Sequence, residues 1–392
     1  MPRVRSLHPL RLCAILALAA PLLSVPLLAA AGPRYTVTGV AGQDSFARGI
    51  NNLGQVVGAM SVGDSYHAFV HAGASVTDLG TFGGEGSTAF AINDAGQVAG
   101  TSYSYSDTPT RGFLYSSGTM SAIQTAGSTY AYGINNGGTV VGGMTVSTPD
   151  GDVQHAYTWT GSGFTDLGTL AIGDGSRAFA INGRGEVVGA AANTFNGAPN
   201  FPENPFLYRN GTMSDMGNLG GIWSGATSIN DRGQVVGFSG TSLGGDFPEI
   251  YPQSAFLYED GVMRDLGGLA PNRNSRASDI NNLGQIVGSA NLADSTAHAF
   301  LYEDGTMTDL NTLIDPASGW TIQDAAAIND LQQIAATACK GGICQAVRLD
   351  LVAAVPEPPT YALLLLGVAG LAWRRRASAR ARFRRPADRR PG

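Results

Sequence analysis

Histidine and aspartate side chains recur at fixed places in this chain, and such groups can bind metals or transfer protons. The recurring histidines are His67, His155 and His298, and the recurring aspartates are Asp78, Asp166, Asp215, Asp265 and Asp309. A glycosidase needs two carboxylates roughly 5 to 10 Å apart. Groups that recur once per repeat lie far apart around a ring, so we predict structural roles, no catalytic residues, no cofactor and no metal site.

Asn-Asp-x-Gly turns at residues 93–96 and 230–233 have the residue types of a calcium loop. Calcium takes about six or more oxygen ligands. Each turn offers only one or two carboxylates or amides, and the turn at 182–185 has no acidic residue. The pattern therefore favours hairpin turns, in which Asn begins the turn and Gly accepts a positive φ.

These turns belong to a repeat of Ile-Asn, a turn, and then Gly-Gln-Val-Val-Gly or a close variant. Its seven copies begin at Ile50, Ile92, Ile134, Ile181, Ile229, Ile280 and Ile328. Periods of roughly 40 to 50 residues with strand-like content are typical of propeller blades. We number the repeats one to seven in chain order.

Each repeat reads as four short strands. An alanine stands three residues before every Ile-Asn, which suits a first strand crowded at a ring axis. The last repeat stops after its third strand, and a lone strand at 35–40 precedes the first repeat, so pairing the two would close the ring. The expected fold is an all-β, seven-bladed β-propeller over residues 34–353, with four strands per blade and the N-terminal strand as its closure.

The amino-acid sequence of the repeat is similar to that of a known family. Residues 298–310, His-Ala-Phe-Leu-Tyr-Glu-Asp-Gly-Thr-Met-Thr-Asp-Leu, resemble the HAF-family probable extracellular repeat, named for its His-Ala-Phe motif. The resemblance covers nearly the whole body. It implies an extracellular location but no settled biochemical activity.

Both chain ends have the features of processing segments. Arg3, Arg5 and Arg11 precede an apolar run and three alanines, which is the order of a secretory signal peptide over residues 1–31. A membrane anchor is the alternative.

The C-terminal segment at 354–376 has Val355-Pro356-Glu357-Pro358, an apolar span at 361–373, and Arg374-Arg375-Arg376. The span is shorter than the about 20 residues of a permanent membrane helix. The segment resembles the Pro-Glu-Pro (PEP-CTERM) sorting signal that exosortases recognise in Gram-negative bacteria. This resemblance implies that an exosortase is a partner and that a short transmembrane span anchors the protein transiently in the inner membrane. It also implies a basic cytoplasmic tail at 377–392 and release of the protein to the cell surface or matrix. An ordinary anchor with a basic tail is the alternative.

Charge and cysteine usage narrow the range of partners. The chain has a net charge of −6, and half of its 24 Lys and Arg residues lie in the two terminal segments, so the body is more acidic still. An acidic body repels phosphate backbones, so we expect no nucleic-acid partner. Cys339 and Cys344 are the two cysteines of the body, and an oxidising compartment predicts a disulfide between them.

Aromatic residues in long loops are the candidate binding residues. The loops between the second and third strands and those between successive repeats share one end of the ring, which we call the loop face. There the fourth and fifth repeats carry Phe195, Phe201, Trp223, Phe247 and Tyr251. Exposed aromatic side chains can stack on sugar rings or contact a protein. The alternative is that they pack within their own loops.

The predicted function is a non-enzymatic surface or matrix protein that binds through one propeller face. The acidic body favours a neutral glycan or a surface protein as ligand. The sorting-signal resemblance, associated with exopolysaccharide and biofilm, favours polysaccharide. The alternatives are a polysaccharide lyase or hydrolase and a purely structural matrix component.

Overall fold

The computed structural model describes residues 34–104, 109–149, 151–170, 175–192, 203–241, 252–271 and 274–352, together with Leu371 and Trp373. The predicted signal peptide, the cytoplasmic tail and nearly all of the sorting signal lie outside these residues. Within the described part, no helix is long and apolar enough to cross a membrane.

The described chain is an all-β propeller built from antiparallel sheets. Its strands are β1 (Tyr35–Gln43), β2 (Ser45–Ile50), β3 (Val56–Val62), β4 (Ser65–Ala72), β5 (Ser75–Gly80), β6 (Gly86–Ile92), β7 (Val98–Tyr103), β8 (Arg111–Ser116), β9 (Thr119–Ile123), β10 (Thr129–Ile134), β11 (Val140–Thr148), β12 (Gly151–Trp159), β13 (Phe164–Gly168) and β14 (Ser176–Ile181). They continue as β15 (Val187–Ala192), β16 (Glu203–Arg209), β17 (Thr212–Asp215), β18 (Gly220–Ile229), β19 (Val235–Thr241), β20 (Gln253–Glu259), β21 (Val262–Asp265), β22 (Ser275–Ile280), β23 (Ile286–Asn291), β24 (Ala297–Glu303), β25 (Thr306–Asp309), β26 (Thr321–Ile328), β27 (Ile334–Lys340) and β28 (Ile343–Leu351). Two short 3-10 turns follow β25, at Leu310–Thr312 and Pro316–Ser318.

The prediction of seven separate four-stranded blades is wrong. Five blades are separate four-stranded sheets, whereas the strands of the fourth and fifth repeats form one eight-stranded sheet. The join lies where Glu203 of β16 pairs in parallel with Trp223 of β18. At ten residues, β18 is long enough for its N-terminal part to reach the neighbouring sheet. A repeat pattern counts motifs, and it does not show which adjacent sheets share hydrogen bonds.

The N-terminal strand completes the last sheet, and this expected pairing is observed. β1 runs antiparallel to β28, with Tyr35 opposite Leu351 and Val37 opposite Leu349. Arg34, just before β1, forms an ion pair with Glu303 of β24. The segment around Arg34 and β1 is therefore tied to the sixth repeat as well as to the last sheet.

The core lies between successive sheets. Each of the first six repeats buries one aromatic side chain of its third strand completely: Phe69, Phe113, Tyr157, Phe206, Phe256 and Phe300. Burying such a side chain contributes about 1.5 to 3 kcal/mol. The ring closes in the same way, because Ala335 and Ala346 of the last repeat pack with Ala47 and Phe69 of the first.

A β-bulge shapes the inner strand of every repeat. In β10, for example, Ala131 pairs with Gly142 and Gly133 pairs with Val141, which leaves Tyr132 as the extra residue. A bulge re-aims the side chain at its position. Gly142 must be glycine because a Cβ atom there would collide with the carbonyl oxygen of Tyr130. The seven alanines are buried, and the channel cavities along the axis are lined instead by residues that follow them.

Candidate functional site: the axial channel

A closed ring of hydrogen bonds encircles one end of the channel. The asparagine of each Ile-Asn pair donates from Nδ2 to the backbone carbonyl of the equivalent asparagine in the next repeat, over 2.9 to 3.1 Å. The ring runs through Asn51, Asn93, Asn135, Asn182, Asn230, Asn281 and Asn329 and returns to Asn51. We call this end of the channel the turn face.

Each asparagine also holds its own turn together. The Oδ1 atom of Asn281 accepts from the backbone amides of Leu283 (3.1 Å) and Gln285 (2.9 Å). Its Nδ2 atom also donates to Oε1 of Gln285 at 2.9 Å. The glutamine of the repeat therefore has a defined role, as the partner of the ring asparagine. These turns have the hairpin hydrogen bonds predicted for them, such as Gly284 N to Asn281 O at 3.0 Å.

The acidic residues of the turns serve neighbouring turns. Asp94 accepts from the backbone amide of Asn52 at 2.8 Å, and Asp330 accepts from that of Asn282 at 2.8 Å. Their carboxylates are thus used to connect repeats. Among the described residues, no group of three or more His, Cys, Asp or Glu side chains is placed to hold a metal ion.

Within the described part of the chain, three cavities lie along the channel. One of about 230 Å³ lies against the asparagine ring, one of about 180 Å³ lies midway, and one of about 600 Å³ lies toward the loop face. Asp279 lines the first two cavities and accepts hydrogen bonds from the Ser228 hydroxyl (2.6 Å) and the Ile328 amide (2.8 Å). Burial raises the pKa of the Asp279 carboxyl, and these hydrogen bonds oppose the rise.

The largest cavity, which we call the axial pocket, has one aromatic wall. The wall consists of the bulge residues Phe90, Tyr132 and Phe179 from three consecutive repeats. The ring centroids of Phe90 and Tyr132 are 5.3 Å apart, and those of Tyr132 and Phe179 are 5.5 Å apart. Burial raises the pKa of Tyr132 to about 12, so its hydroxyl stays protonated and can donate.

The rest of the axial pocket is polar and charged. Arg48, Arg276 and Asp324 line it, together with Thr227 and Ser278. The Arg276 guanidinium lies 4.0 Å from the ring centroid of Phe238. The Arg48 guanidinium lies 4.9 Å from the ring centroid of Phe46. Within the described residues, neither arginine forms an ion pair.

The predicted binding aromatics can be placed only in part. Phe195, Phe201, Phe247 and Tyr251 lie outside the described residues. Trp223 is half-buried and lies within β18, in the join between the fourth and fifth repeats, rather than in a connecting loop.

The sequence pattern alone does not identify the residues of the axial pocket as a site. Apart from Ser289 in β23, they stand two or four residues before Ile-Asn, at positions that vary between otherwise similar repeats. That variation around a constant Ala-x-x-Ile-Asn frame was the available signal.

The recurring histidines and aspartates pair within their own repeats. The Nδ1 atoms of His67, His155 and His298 lie 2.7 to 2.9 Å from a carboxylate oxygen of Asp78, Asp166 and Asp309, respectively. Asn204 replaces the histidine in the fourth repeat and donates to Asp215 at 2.9 Å. Each pair connects the third and fourth strands of a different sheet, where it fixes the outer edge.

The two body cysteines form a disulfide across a strand pair. Cys339 of β27 lies directly opposite Cys344 of β28, and their Cα atoms are 3.9 Å apart. The bond therefore closes the hairpin between the last two strands of the ring.

One pattern of catalytic type, Gly-x-Ser-x-Gly, spans residues 240–244. In α/β-hydrolases this pattern forms a strand-to-helix turn at the top of the sheet. Here Gly240 and Thr241 end β19 in an antiparallel propeller sheet, and residues 242–244 lie outside the described part. The described context differs from that of a nucleophile elbow.

Comparison with known proteins identifies the C-terminal segment. Residues 354–376 match the PEP-CTERM protein-sorting motif. The motif implies processing by an exosortase and export through a membrane-anchored intermediate to the cell surface. The sequence matches no curated protein.

Solved structures support the fold. The β-propeller domain of the trilobed protease from Pyrococcus furiosus, reported with an open velcro topology, aligns with a TM-score of 0.54 and 9% identity over 81% of this chain and 100% of that one. The acylaminoacyl peptidase from Pyrococcus horikoshii aligns with a TM-score of 0.50 and 8% identity, over 76% of this chain and 51% of the peptidase. This chain therefore spans only about half of that enzyme. At such identities the likeness concerns the fold.

Proposed function

We propose that this protein is an exported, non-enzymatic propeller that binds polysaccharide at the loop face. The observation that carries the proposal is the axial pocket, a cavity of about 600 Å³ with an aromatic wall. Pockets for small organic ligands have about 300 to 1,000 Å³, and the axial pocket falls in this range with a lining that is mostly polar apart from its aromatic wall. The aromatic wall provides stacking area for sugar rings, and Thr227, Ser278 and Asp324 provide hydrogen-bond groups.

Export belongs to the same proposal. Residues 1–31 act as a cleaved signal peptide, residues 34–353 form the ring, and the basic tail at 377–392 stays in the cytoplasm of a Gram-negative cell until the exosortase acts. The sorting motif supports this order of events. The released ring then lies in the exopolysaccharide matrix, where a polysaccharide ligand is available.

Binding and turnover should be measured on the same protein. Purified wild-type chain and the Tyr132→Leu variant are applied to a glycan array and incubated with the polysaccharides that bind. We expect binding by the wild type, at least tenfold weaker binding by Tyr132→Leu, and no release of shorter sugars. The matched control is Tyr258→Leu, which changes a half-buried tyrosine in the third strand of the fifth repeat. This variant should bind the glycan as the wild type does. Product release by the wild type would replace a binding function with an enzymatic one.

Export is tested separately in an exosortase-containing host. The mature protein should lack the span at 361–373 and the arginines after it. Replacing Pro356, Glu357 and Pro358 with alanine should leave the protein in the inner membrane. Released protein that still carries residues 374–392 by mass spectrometry would contradict processing.

A further inference from the structure

The axial pocket has a local charge opposite to that of the body. Two guanidinium groups, those of Arg48 and Arg276, face it with a single carboxylate, that of Asp324. None of the three forms an ion pair within the described residues. Among the described residues, the pocket lining therefore has one more positive than negative side chain.

Both arginines are exposed, and each has an aromatic contact that favours one position of its guanidinium. Each guanidinium lies over an aromatic ring, Phe238 for Arg276 and Phe46 for Arg48. Stacking holds the plane of a guanidinium and leaves its N–H edge free. An N–H edge of this kind matches a carboxylate, which accepts two parallel hydrogen bonds from it.

We propose that the axial pocket binds a sugar ring that carries a carboxylate, such as a uronate residue. This inference rests on the proposed function and names its ligand class. The ring stacks on Tyr132 and its two aromatic neighbours, the carboxylate meets Arg48 and Arg276, and sugar hydroxyls donate to Asp324.

The acidic body does not prevent this binding. Charges more than a Debye length apart, about 8 Å at physiological ionic strength, are largely screened from each other. The two pocket arginines would contact the ligand, well within that range. The net charge of the whole body favours a neutral glycan. The local charge of the axial pocket is different, and it favours a ligand with a carboxylate.

The test is isothermal titration of the full-length purified chain with three small probes. Glucuronate has both the ring and the carboxylate, glucose has the ring alone, and gluconate has the carboxylate on an open chain. We expect glucuronate to bind at least tenfold more tightly than either of the others. Equal binding of glucose, or of gluconate, would overturn the proposal.

Variants locate the effect. Arg276→Gln should weaken glucuronate binding at least tenfold and leave glucose binding within twofold, and Arg48→Gln provides a second variant if the first does not fold by circular dichroism. Arg264→Gln removes an exposed arginine of β21 and should change nothing. Glucuronate binding that survives both pocket variants would overturn the proposal.

Two further results distinguish the carboxylate preference from sugar binding in general, and polymer binding from binding of free sugars. Neutral-glycan binding that Tyr132→Leu abolishes and Arg276→Gln spares would refute the carboxylate preference and leave the proposed function intact. A long polyuronate that binds per residue as tightly as its short oligomers would show that internal residues of a polymer are recognised. Binding of the short forms alone would show that free sugars or chain ends are the source.

Discussion

Substitution of a single ring asparagine should destabilise the whole propeller. Asn281→Ala removes hydrogen bonds to Asn329 O, Gln285 Oε1, Gln285 N and Leu283 N, of 2.9 to 3.1 Å. The bond to the exposed Leu283 is only partly buried, so water can replace it, whereas the other three bonds are buried. At about 1 kcal/mol for each net bond lost, we expect a loss of about 3 kcal/mol.

The assay is equilibrium urea unfolding followed by circular dichroism. With a slope of about 3 kcal/mol per molar urea, the midpoint should fall by about 1 M. Asn282→Ala is the matched control, because its exposed side chain bonds only to neighbouring turns, and it should cost about 1 kcal/mol or less. Asn281→Asp keeps the acceptor of its turn and removes both donors, so it should lose two of the three buried bonds, about 2 kcal/mol. Equal midpoints for Asn281→Ala and Asn282→Ala would refute the reasoning.

Three more predictions concern the closure of the ring. Deleting residues 34–40 removes most of β1 and exposes the edge of the last sheet, so the urea midpoint should fall by at least about 1 M, and an unchanged midpoint would rule out that closure. Hydrogen bonds from Arg34 and Gln285 hold the pKa of Glu303 below its usual range, so the wild type should exceed Glu303→Gln by about 1 kcal/mol at pH 7. That stability is present above the unfolded pKa of about 4.3 and is lost as pH falls through the folded pKa, so a difference that does not shrink at any pH below about 4.3 would refute the assignment. Cys339 and Cys344 of the exported protein should resist thiol labelling until reductant is added, and reduction should cost about 2 kcal/mol; immediate labelling of both would exclude the disulfide.

The sequence predicted the elements that depend on local pattern. Turn residues and β-branched runs indicated strands on either side of each Ile-Asn turn, and the lone strand at 35–40 indicated its partner near Leu349. The sequence pattern could not indicate the eight-stranded sheet that the fourth and fifth repeats share. The bridge between Glu203 and Trp223 depends on how two neighbouring sheets meet in space.

The candidate site escaped prediction for a related reason. Simple alternation along β10 would place Ala131 and Gly133 on one side and Tyr132 on the other. The bulge shifts the register between Ala131 and Gly133, and no residue type marks it unambiguously. The ring asparagines were recognised as turn formers, but their bonds from repeat to repeat exist only once the ring is closed.

The most direct measurement of the binding claim is a crystal structure of the protein grown with saturating glucuronate. We expect a sugar ring in the axial pocket, stacked on Tyr132, with its carboxylate within hydrogen-bond distance of Arg48 and Arg276. A pocket that stays empty while glucuronate occupies the turn face or an outer strand would contradict it.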